Sequence, residues 1–326
     1  MTHSNIALSI IVPAYNIEKY IGRCIESLTS CANEAFEIIL VDDGSSDRTG
    51  EICRYYAQMD HRIIYHYQNN SGVSTARNAG IEKSRGSYVW FCDGDDWVET
   101  GSVDMILSAI DESMPSIIAF AENRVDQDGG ILGVTNAPKL IDGKRVLPLQ
   151  CDDSLYPHCH VFSRRLIGSD VRFDTSLALL EDCDFVYRLF LRGGDHVVTI
   201  EKPLYNYWVT RRDSASNIQT PVKMLGALRV VKSMYETERR QGRLHPAYES
   251  FVRFSLWTLS VVGRAEGVSQ SYRSVRNQLV GAKEDEINLG FPLRCKAILA
   301  VHAPHLYIFA CKVWDALKQV KRIDAV

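Results

Sequence analysis

The sequence contains no uninterrupted apolar run of about 18 residues, the length that a membrane-spanning helix requires. The apolar segment near the start, ALSIIV, follows no basic region and ends at Pro13, so we expect a strand there rather than a signal peptide. The nine cysteines show neither a CxxC pair nor regular spacing, which argues against a disulfide framework. We therefore expect a reducing, cytoplasmic location.

Internal repeats and low-complexity segments are also absent from the sequence. With 326 residues, 46% hydrophobic and 24% charged, the chain is long enough for one large domain and a smaller one. Residues 1–215 hold 20 Lys and Arg against 31 Asp and Glu, whereas residues 216–326 hold 17 against 9. The net charges of −11 and +8 that follow predict different partners for the two parts.

Short apolar runs alternate with helical patterns over the first hundred residues. The predicted strands are residues 8–13, 36–41, 62–67 and 87–92. Helices are predicted around residues 20–28, after Ser46 or Asp47, and over 74–84. This alternation indicates right-handed crossovers and a parallel sheet with helices on both faces, in which ligands bind beyond the carboxyl ends of the strands.

The remainder of the chain has a mixed pattern. Another strand is predicted over residues 116–122, a loop-rich segment over 137–160 and a helix from Asp184. Residues 220–322 lack a turn-rich β pattern, so we expect helices throughout this part.

Polar residues follow each of the first three predicted strands. The first strand ends in Pro13-Ala14-Tyr15-Asn16, which lacks the GxGxxG of a dinucleotide fold, although Tyr15 offers a ring for a base. Asp42 and Asp43 follow the second strand and can accept hydrogen bonds from a base or a ribose; helix capping is the alternative. Arg77 lies in the small-residue segment after the third strand and can pair with a phosphate or with an acid.

The fourth predicted strand runs into a cluster of carboxylates, Asp93-Gly94-Asp95-Asp96. At an effective dielectric near 20, two like charges about 4 Å apart oppose each other by roughly 4 kcal/mol, so folding alone gives little reason for the cluster. Carboxylate oxygens are preferred ligands of Mg²⁺ and Mn²⁺. The cluster therefore predicts a divalent metal site.

Together, SIIVPAYN, EIILVDDGSSD, SGVSTARNAGI and GSYVWFCDGDDWVE closely resemble the nucleotide-binding half of family-2 glycosyltransferases with the GT-A fold. The resemblance covers roughly residues 6–100. It implies a Rossmann-like α/β domain with a mixed, mainly parallel sheet flanked by helices. We predict a catalytic domain over 1–215, with residues 1–100 binding the nucleotide sugar and 101–215 facing the acceptor, and a helical C-terminal region over 216–326.

The resemblance also implies roles for individual residues. Uridine contacts fall on Pro13, Tyr15 and Asp42 or Asp43, and the family's basic residue corresponds to Arg77. The DXD motif falls on Asp93, Gly94 and Asp95, where family members often have Ser in the middle. Asp93 and Asp95 would hold Mn²⁺ or Mg²⁺. The complete predicted donor-binding set is Pro13, Tyr15, Asn16, Asp42, Asp43, Arg77, Asp93 and Gly94.

A weaker resemblance continues into residues 180–216. Glu181-Asp182 looks like the family's ED motif, whose Asp is the catalytic base, and residues 203–207 followed by 211–214 look like the aromatic stretch after it. The alternative is that acids at a helix N-terminus are stabilised by the helix dipole without a catalytic role. Glu181, Trp97 and His160 are predicted on the acceptor side, with packing under the DXD turn as the alternative for Trp97.

These roles imply an inverting hexosyl transfer from a UDP-sugar to a glycan or polyprenyl-linked acceptor, in bacterial surface-polysaccharide synthesis. The metal neutralises the diphosphate, and Asp182 takes the acceptor proton. One alternative is a sugar-1-phosphate nucleotidyltransferase, although the chain lacks a Gly-rich, Lys- or Arg-bearing loop after the first strand. Another is a non-catalytic glycan-binding or partner-binding module on the same fold.

Two further patterns remain open. His158-Cys159-His160 has metal-ligand spacing, but structural zinc normally needs four ligands, and acceptor-pocket lining or packing is the alternative. Residues 293–317 carry an apolar face bordered by Lys and Arg. This face predicts either peripheral contact with the inner face of the cell membrane or packing against the catalytic domain or a second subunit.

Overall fold

The computed structural model describes residues 6–135, 137, 140–141, 144–145, 155–193, 196–209, 219–242, 244–282 and 291–323. The described residues fall into two compact units. The first comprises those within 1–147, 153–176 and 181–213, and the second comprises those within 148–152, 177–180 and 214–326. Residues 211–214, part of the predicted aromatic stretch, lie outside the described residues.

A mixed sheet forms the centre of the first unit. Its strands are β1 (Leu8–Ala14), β2 (Phe36–Asp42), β3 (Ile63–Tyr67), β4 (Tyr88–Phe91), β5 (Trp97–Val98), β6 (Ile117–Val125), β7 (Ile131–Thr135), β10 (His160–Ser163) and β11 (Val197–Trp208). Strands β8 (Leu140–Ile141) and β9 (Lys144–Arg145) form a separate two-stranded sheet. The strand order is β3-β2-β1-β4-β10-β6-β11-β5, and β7 pairs with β6. The first four strands are parallel, as predicted, and the fold class is confirmed.

Helices connect these strands. They are α1 (Ile21–Thr29), α2 (Thr49–Met59), α3 (Val73–Lys83), α4 (Ser102–Ser113), α5 (Arg164–Ile167) and α6 (Glu181–Gly193). Helix α1 buries Ile21, Cys24, Ile25 and Leu28, which is the predicted apolar face. Helix α3 approaches β1 closely at Gly80, where an added Cβ would lie 2.2 Å from Ile11 Cγ2. Glycine at this position therefore allows the helix to pack directly on the strand.

The second helix begins at Thr49, two residues after Asp47, and the Asp47 carboxylate accepts from the Thr49 N–H and from the Glu18 N–H. One predicted boundary was wrong. Helix α6 begins at Glu181, three residues before the predicted start.

Within the predicted loop-rich segment 137–160, Pro157–Cys159 form a single 3₁₀ turn. Strand β10, which was not predicted, begins at the last residue of that segment and pairs antiparallel with both β4 and β6. His158 and His160 therefore do not share one face of a strand.

The described residues of the second unit from 221 onwards are mostly helical, as predicted. Its helices are α7 (Pro221–Arg240), α8 (Leu244–Glu266), α9 (Gln270–Gly281), α10 (Phe291–His302) and α11 (Pro304–Ile323). Ile308 packs against Gly263 of α8, and the Tyr307 hydroxyl donates to the Leu256 carbonyl at 2.8 Å. Among the residues that the structure describes, no helix combines the length and the apolar composition that crossing a membrane requires.

Candidate active site

The loops after β1 and β2 are joined by hydrogen bonds. Asn16 has a positive φ of 51°, and its N–H donates to Ser45 Oγ at 3.1 Å. The Asn16 side-chain oxygen accepts from the Ser46 N–H at 2.8 Å. Pro13 is buried, whereas 48% of Tyr15 is exposed. The ring that sequence reasoning assigned to a base is therefore open to solvent beside a fixed pair of loops.

Asp42 and Asp43 are both buried and both accept hydrogen bonds from the chain itself. Asp42 accepts from the Ser45 N–H at 2.9 Å and from the Tyr65 hydroxyl at 2.8 Å. Asp43 accepts from the Gln68 amide at 2.8 Å and from the N–H groups of residues 71 and 72 at 2.9 and 2.8 Å. Asp43 thus fixes the loop that leads into α3, which is a role that neither predicted alternative described.

The predicted metal-binding acids lie in a tight turn after β4. The Asp96 N–H donates to the Asp93 carbonyl at 3.0 Å, which closes the turn over Gly94 and Asp95. An added Cβ at Gly94 would lie 2.6 Å from Ile17 Cδ1 and 3.0 Å from the Pro13 carbonyl oxygen. The turn thus packs closely on Pro13 and Ile17, and a serine in place of Gly94 would require the Ile17 side chain to shift.

Arg77 connects this turn to the start of α6. Its Nη2 donates to Asp93 Oδ1 at 2.8 Å, and its Nη1 lies 3.5 Å from Glu181 Oε1. The arginine is 5% exposed, and its Nε and Nη1 make no hydrogen bond. The structure therefore brings two predicted site residues, Asp93 from the turn after β4 and Glu181 from the start of α6, to the buried guanidinium of a third.

The neighbouring charges set the ionisation of Asp93. Burial would raise the pKa of Asp93, but the Arg77 guanidinium and the His158 imidazole outweigh burial and lower this pKa. The side chain of Asp93 retains 27% exposure. Asp93 is thus an ionised carboxylate that a ligand can still reach.

Asp96 differs from its two neighbours in both contacts and charge. It is 2% exposed and accepts from the Tyr205 hydroxyl at 2.8 Å and from the Trp208 N–H at 2.9 Å. Burial, reinforced by the Asp95 and Asp93 carboxylates, raises the pKa of Asp96 well above its usual range. Asp96 therefore anchors the turn to β11.

His158 lies next to Asp93 and is fully enclosed. Its Nε2 is 2.7 Å from Glu122 Oε2, and its Nδ1 is 4.0 Å from Asp93 Oδ2. Burial would lower the pKa of His158, but the charge and hydrogen bond of Glu122, followed by Asp93, raise it to about 9. The imidazole therefore carries a positive charge at neutral pH among these carboxylates.

Among the described residues, Glu122, His158 and Cys159 form a buried group with three possible metal-ligand atoms. Ligands about 2.0–2.1 Å from a tetrahedral zinc lie about 3.3 Å apart. The 2.7 Å between His158 Nε2 and Glu122 Oε2 is instead a hydrogen-bond distance, and the Cys159 thiol donates to the same oxygen at 3.0 Å. The group is a hydrogen-bonded ion pair.

The two acids at the start of α6 have different surroundings. Glu181 is mostly buried, and burial followed by the Asp182 charge raises the pKa of Glu181 to about 7, although Arg77 opposes the shift. Asp182 is half-buried, and its Oδ1 accepts from the Cys183 N–H at 2.7 Å. Asp184, one turn into the helix, pairs with Arg188 at 2.7 Å.

His160 and Trp97, the other two predicted acceptor-side residues, have contacts with other parts of the chain than Arg77. His160 is fully buried, and its Nδ1 lies 2.7 Å from the Tyr156 carbonyl oxygen. Trp97 is half-buried under the Arg23 guanidinium, which lies 3.5 Å from the ring centroid, and Arg23 also reaches the Asp95 carbonyl at 3.5 Å.

The acids of the turn fit a hard divalent cation. Asp93 is held in its ionised form, and Asp95, two residues away in the same turn, is half-buried rather than enclosed. Such cations take oxygen ligands from one or two carboxylates and complete their shell with water and phosphate oxygens. Asp93 and Asp95 would be those ligands.

Comparison with known proteins agrees with this arrangement. The model of the family "Glycosyl transferase family 2" matches residues 9–167, just under half of the chain. Glycosyltransferase GlyA of Streptococcus pneumoniae is 32% identical over 229 residues, which are 65% of this chain and 32% of GlyA. The minor teichoic acid biosynthesis protein GgaB of Bacillus subtilis is 32% identical over 231 residues, which are 66% of this chain and 24% of GgaB.

The fold has solved counterparts as well. The crystal structure of Staphylococcus aureus TarS 1–349 with UDP-GlcNAc superposes with a TM-score of 0.66 at 18% identity and covers 96% of this chain and 92% of that one. The chain spans about a third or less of the length of the two curated relatives. The match over residues 9–167 shows that this part of the chain is a glycosyltransferase family 2 domain.

Proposed function

We propose that the chain transfers a hexose from a UDP-sugar to a hydroxyl of a glycan or lipid-linked acceptor, with inversion at the anomeric carbon. The observation that carries the proposal is the Arg77 bridge, because it holds Asp93 and Glu181 within contact of one guanidinium. Direct displacement needs leaving-group stabilisation and a base on opposite sides of one carbon. Asp93 with Asp95 would serve the first need, and Asp182 the second.

The chain's own residues would prepare the donor side. A divalent cation at Asp93 and Asp95, Mn²⁺ or Mg²⁺, would neutralise the charge of the leaving diphosphate. Asp43 and Asn16 fix the loops that flank the exposed Tyr15 ring, so that a base could bind there without first ordering them. The UDP-GlcNAc complex of TarS supports a uridine nucleotide as the donor.

The base would act from the start of α6. Asp182, in the first turn of α6, would accept the proton of the acceptor hydroxyl. Glu181, the neighbouring acid, is held by Arg77. The printed role of GgaB in minor teichoic acid biosynthesis supports a bacterial surface polymer as the product class.

The second unit would bring the enzyme to its acceptor. Helix α11 is apolar on two sides: Tyr307 and Ile308 are buried, whereas Leu306, Phe309 and Val313 are 41–64% exposed. Residues 291–314 contain Arg294, Lys296 and Lys312 but no acid. An exposed apolar helical face with a cationic border suits the surface of an anionic membrane, and we assign it to that role.

UDP release from a panel of UDP-sugars with Mn²⁺ tests the proposed reaction without a known acceptor. We expect turnover with one or a few donors and a loss of about 100-fold or more in Asp95→Ala and Asp182→Asn. Asp184→Asn is the matched control, because it makes the same change in the same helix where the acid pairs with Arg188. Near wild-type turnover in Asp95→Ala or Asp182→Asn would contradict the corresponding role.

A further inference from the structure

His158 lies at the centre of a buried group of carboxylates and aromatic rings, although it is absent from the predicted set of site residues. The residue is 4% exposed. Glu122, which is fully buried on β6, binds its Nε2 at 2.7 Å. Its other ring nitrogen, Nδ1, lies 4.0 Å from Asp93 Oδ2. The imidazole therefore links a strand of the sheet to the predicted metal-binding turn.

Three tyrosine rings hold this imidazole in place. His158 stacks on Tyr205 with ring centroids 4.6 Å apart and planes 14° apart. It also stacks on Tyr156 at 5.3 Å and on Tyr207 at 5.4 Å. Because close-packed rings resist displacement, the imidazole has one orientation in which it contacts both Glu122 and Asp93.

The stacked ring also acts on the turn through Tyr205. The Tyr205 hydroxyl accepts from the Asp93 N–H at 3.0 Å and donates to Asp96 Oδ2 at 2.8 Å. One phenol oxygen thus binds both ends of the turn that carries Asp93 and Asp95. A shift of the His158 ring would move this oxygen and, with it, the turn.

We propose that His158 is a positioning residue for the metal site at Asp93 and Asp95, an inference that rests on the proposed function. Glu122 fixes the imidazole, and the imidazole positions the turn through the stacked Tyr205 ring, whose hydroxyl bonds the Asp93 N–H and the Asp96 carboxyl group. Groups that orient metal ligands typically change metal affinity by about 10- to 100-fold when they are removed. The role depends on the position of the ring in the fold and extends the site to β6.

Manganese binding tests this role without an assay of turnover. Mn²⁺ is titrated into the full chain in the presence of UDP, and free Mn²⁺ is measured by electron paramagnetic resonance. His158→Phe keeps an aromatic ring in the stack and removes the Glu122 hydrogen bond together with the imidazole charge. Loss of that positive charge would by itself raise Mn²⁺ affinity, so the fall of about 10- to 100-fold that we expect would report lost positioning, and an unchanged or higher affinity would contradict the role. Cys159→Ser is the matched control, because Cys159 shares the Glu122 oxygen with His158, and we expect its affinity to stay within about twofold.

Each outcome decides the proposal. Wild-type protein that binds no Mn²⁺ would overturn the metal site and the positioning role together, whereas UDP release with Mn²⁺ tests the transfer reaction separately. Unchanged affinity in a folded His158→Phe variant would overturn the positioning role alone. If that variant fails to fold, Tyr205→Phe keeps the stacked ring and removes only the hydroxyl, and it should show the same loss. Unchanged affinity, or unfolding of both variants, would leave His158 a purely structural residue.

Discussion

Single residues determine how several carboxylates share a small volume at the end of β4. Arg77 holds Asp93 ionised, whereas burial and neighbouring charges favour the neutral forms of Asp96 and Glu181. Because some of the clustered acids are ionised and others are neutral, the repulsion between them is reduced. The sequence showed the acids but not this division, because each pKa depends on partners from other elements.

The raised pKa of Glu181 predicts a pH-dependent effect on stability. Between the usual value of 4.5 and about 7, the folded protein keeps a proton on Glu181 that the unfolded chain has lost. The contribution of Glu181 to stability therefore falls as pH rises through this window. We expect Glu181→Gln to gain on the order of 2 kcal/mol relative to wild type between pH 5 and pH 8, measured by urea unfolding. A difference that stays constant across this range would contradict the raised pKa.

Gly94 allows a second test at the scale of one side chain. Gly94→Ser places a Cβ against Ile17 Cδ1, and we expect a loss of about 1–3 kcal/mol in the free energy of unfolding. Ile17→Val removes that methyl group and should reduce the cost of the serine by about 1 kcal/mol in a double-mutant cycle. Equal costs in the two backgrounds would show that the contact at Ile17 does not exclude a side chain.

Elements position the site through close contacts between helix and strand. Helix α3 carries Arg77 under the Asp93 turn, and the approach of Gly80 to Ile11 sets the distance of the helix from β1. Asn78, on the same helix, exchanges two hydrogen bonds of 2.9 Å with the backbone of Phe173. A change in the position of α3 would therefore move Arg77 relative to both Asp93 and Glu181.

Gly80→Ala tests the packing of α3 on β1. The added Cβ would lie 2.2 Å from Ile11 Cγ2, and we expect unfolding to become easier by about 1–3 kcal/mol, despite the better helix propensity of alanine. Gly133→Ala on β7, where no atom lies within 4 Å of the added Cβ, should change stability by less than about 0.5 kcal/mol. Similar thermal melting of the two variants would argue against close packing at Gly80.

Sequence patterns predicted the elements whose periodicity is local. The four parallel strands and α1 have clear apolar patterns, and the loops that follow them held most of the predicted donor-side residues. Strand β10 was missed because it has only four residues and is defined by pairing with β4 and β6, far away in the chain. His158 was not assigned a role beside Asp93 for the same reason, since Glu122 lies 36 residues from it.

The whole molecule combines an acidic N-terminal part with a basic, helical C-terminal part. The sequence gives a net charge of −11 for residues 1–215 and +8 for 216–326. The last division between the two structural units lies between residues 213 and 214, close to the point at 215 where the net charge changes sign. An acidic surface near an anionic membrane would be repelled, so the basic unit is the part suited to contact it.

Vesicle binding tests the exposed face of α11. Leu306→Gln with Phe309→Gln should reduce co-sedimentation with vesicles containing phosphatidylglycerol by about tenfold or more, because burial of each side chain is worth about 1.5–3 kcal/mol. Val222→Gln on α7, a residue that is 80% exposed, is the control and should bind as wild type does. The wild-type protein could instead bind no vesicles and form dimers in light scattering that the double variant does not form. That result would assign the face to contact with a second copy of the chain.

The central place of β10 has a consequence for how the chain acquires its structure. Strand β4 pairs with β1 on one side and with β10 on the other, so its second edge is uncovered until residue 163 has been synthesised. A fragment that ended near residue 100 would expose the edge of an apolar strand that carries Trp90, a typical starting point for aggregation. Residues 1–100, the predicted nucleotide-binding half, are thus not expected to fold as a separate unit. Attempts to express this half alone should include β10.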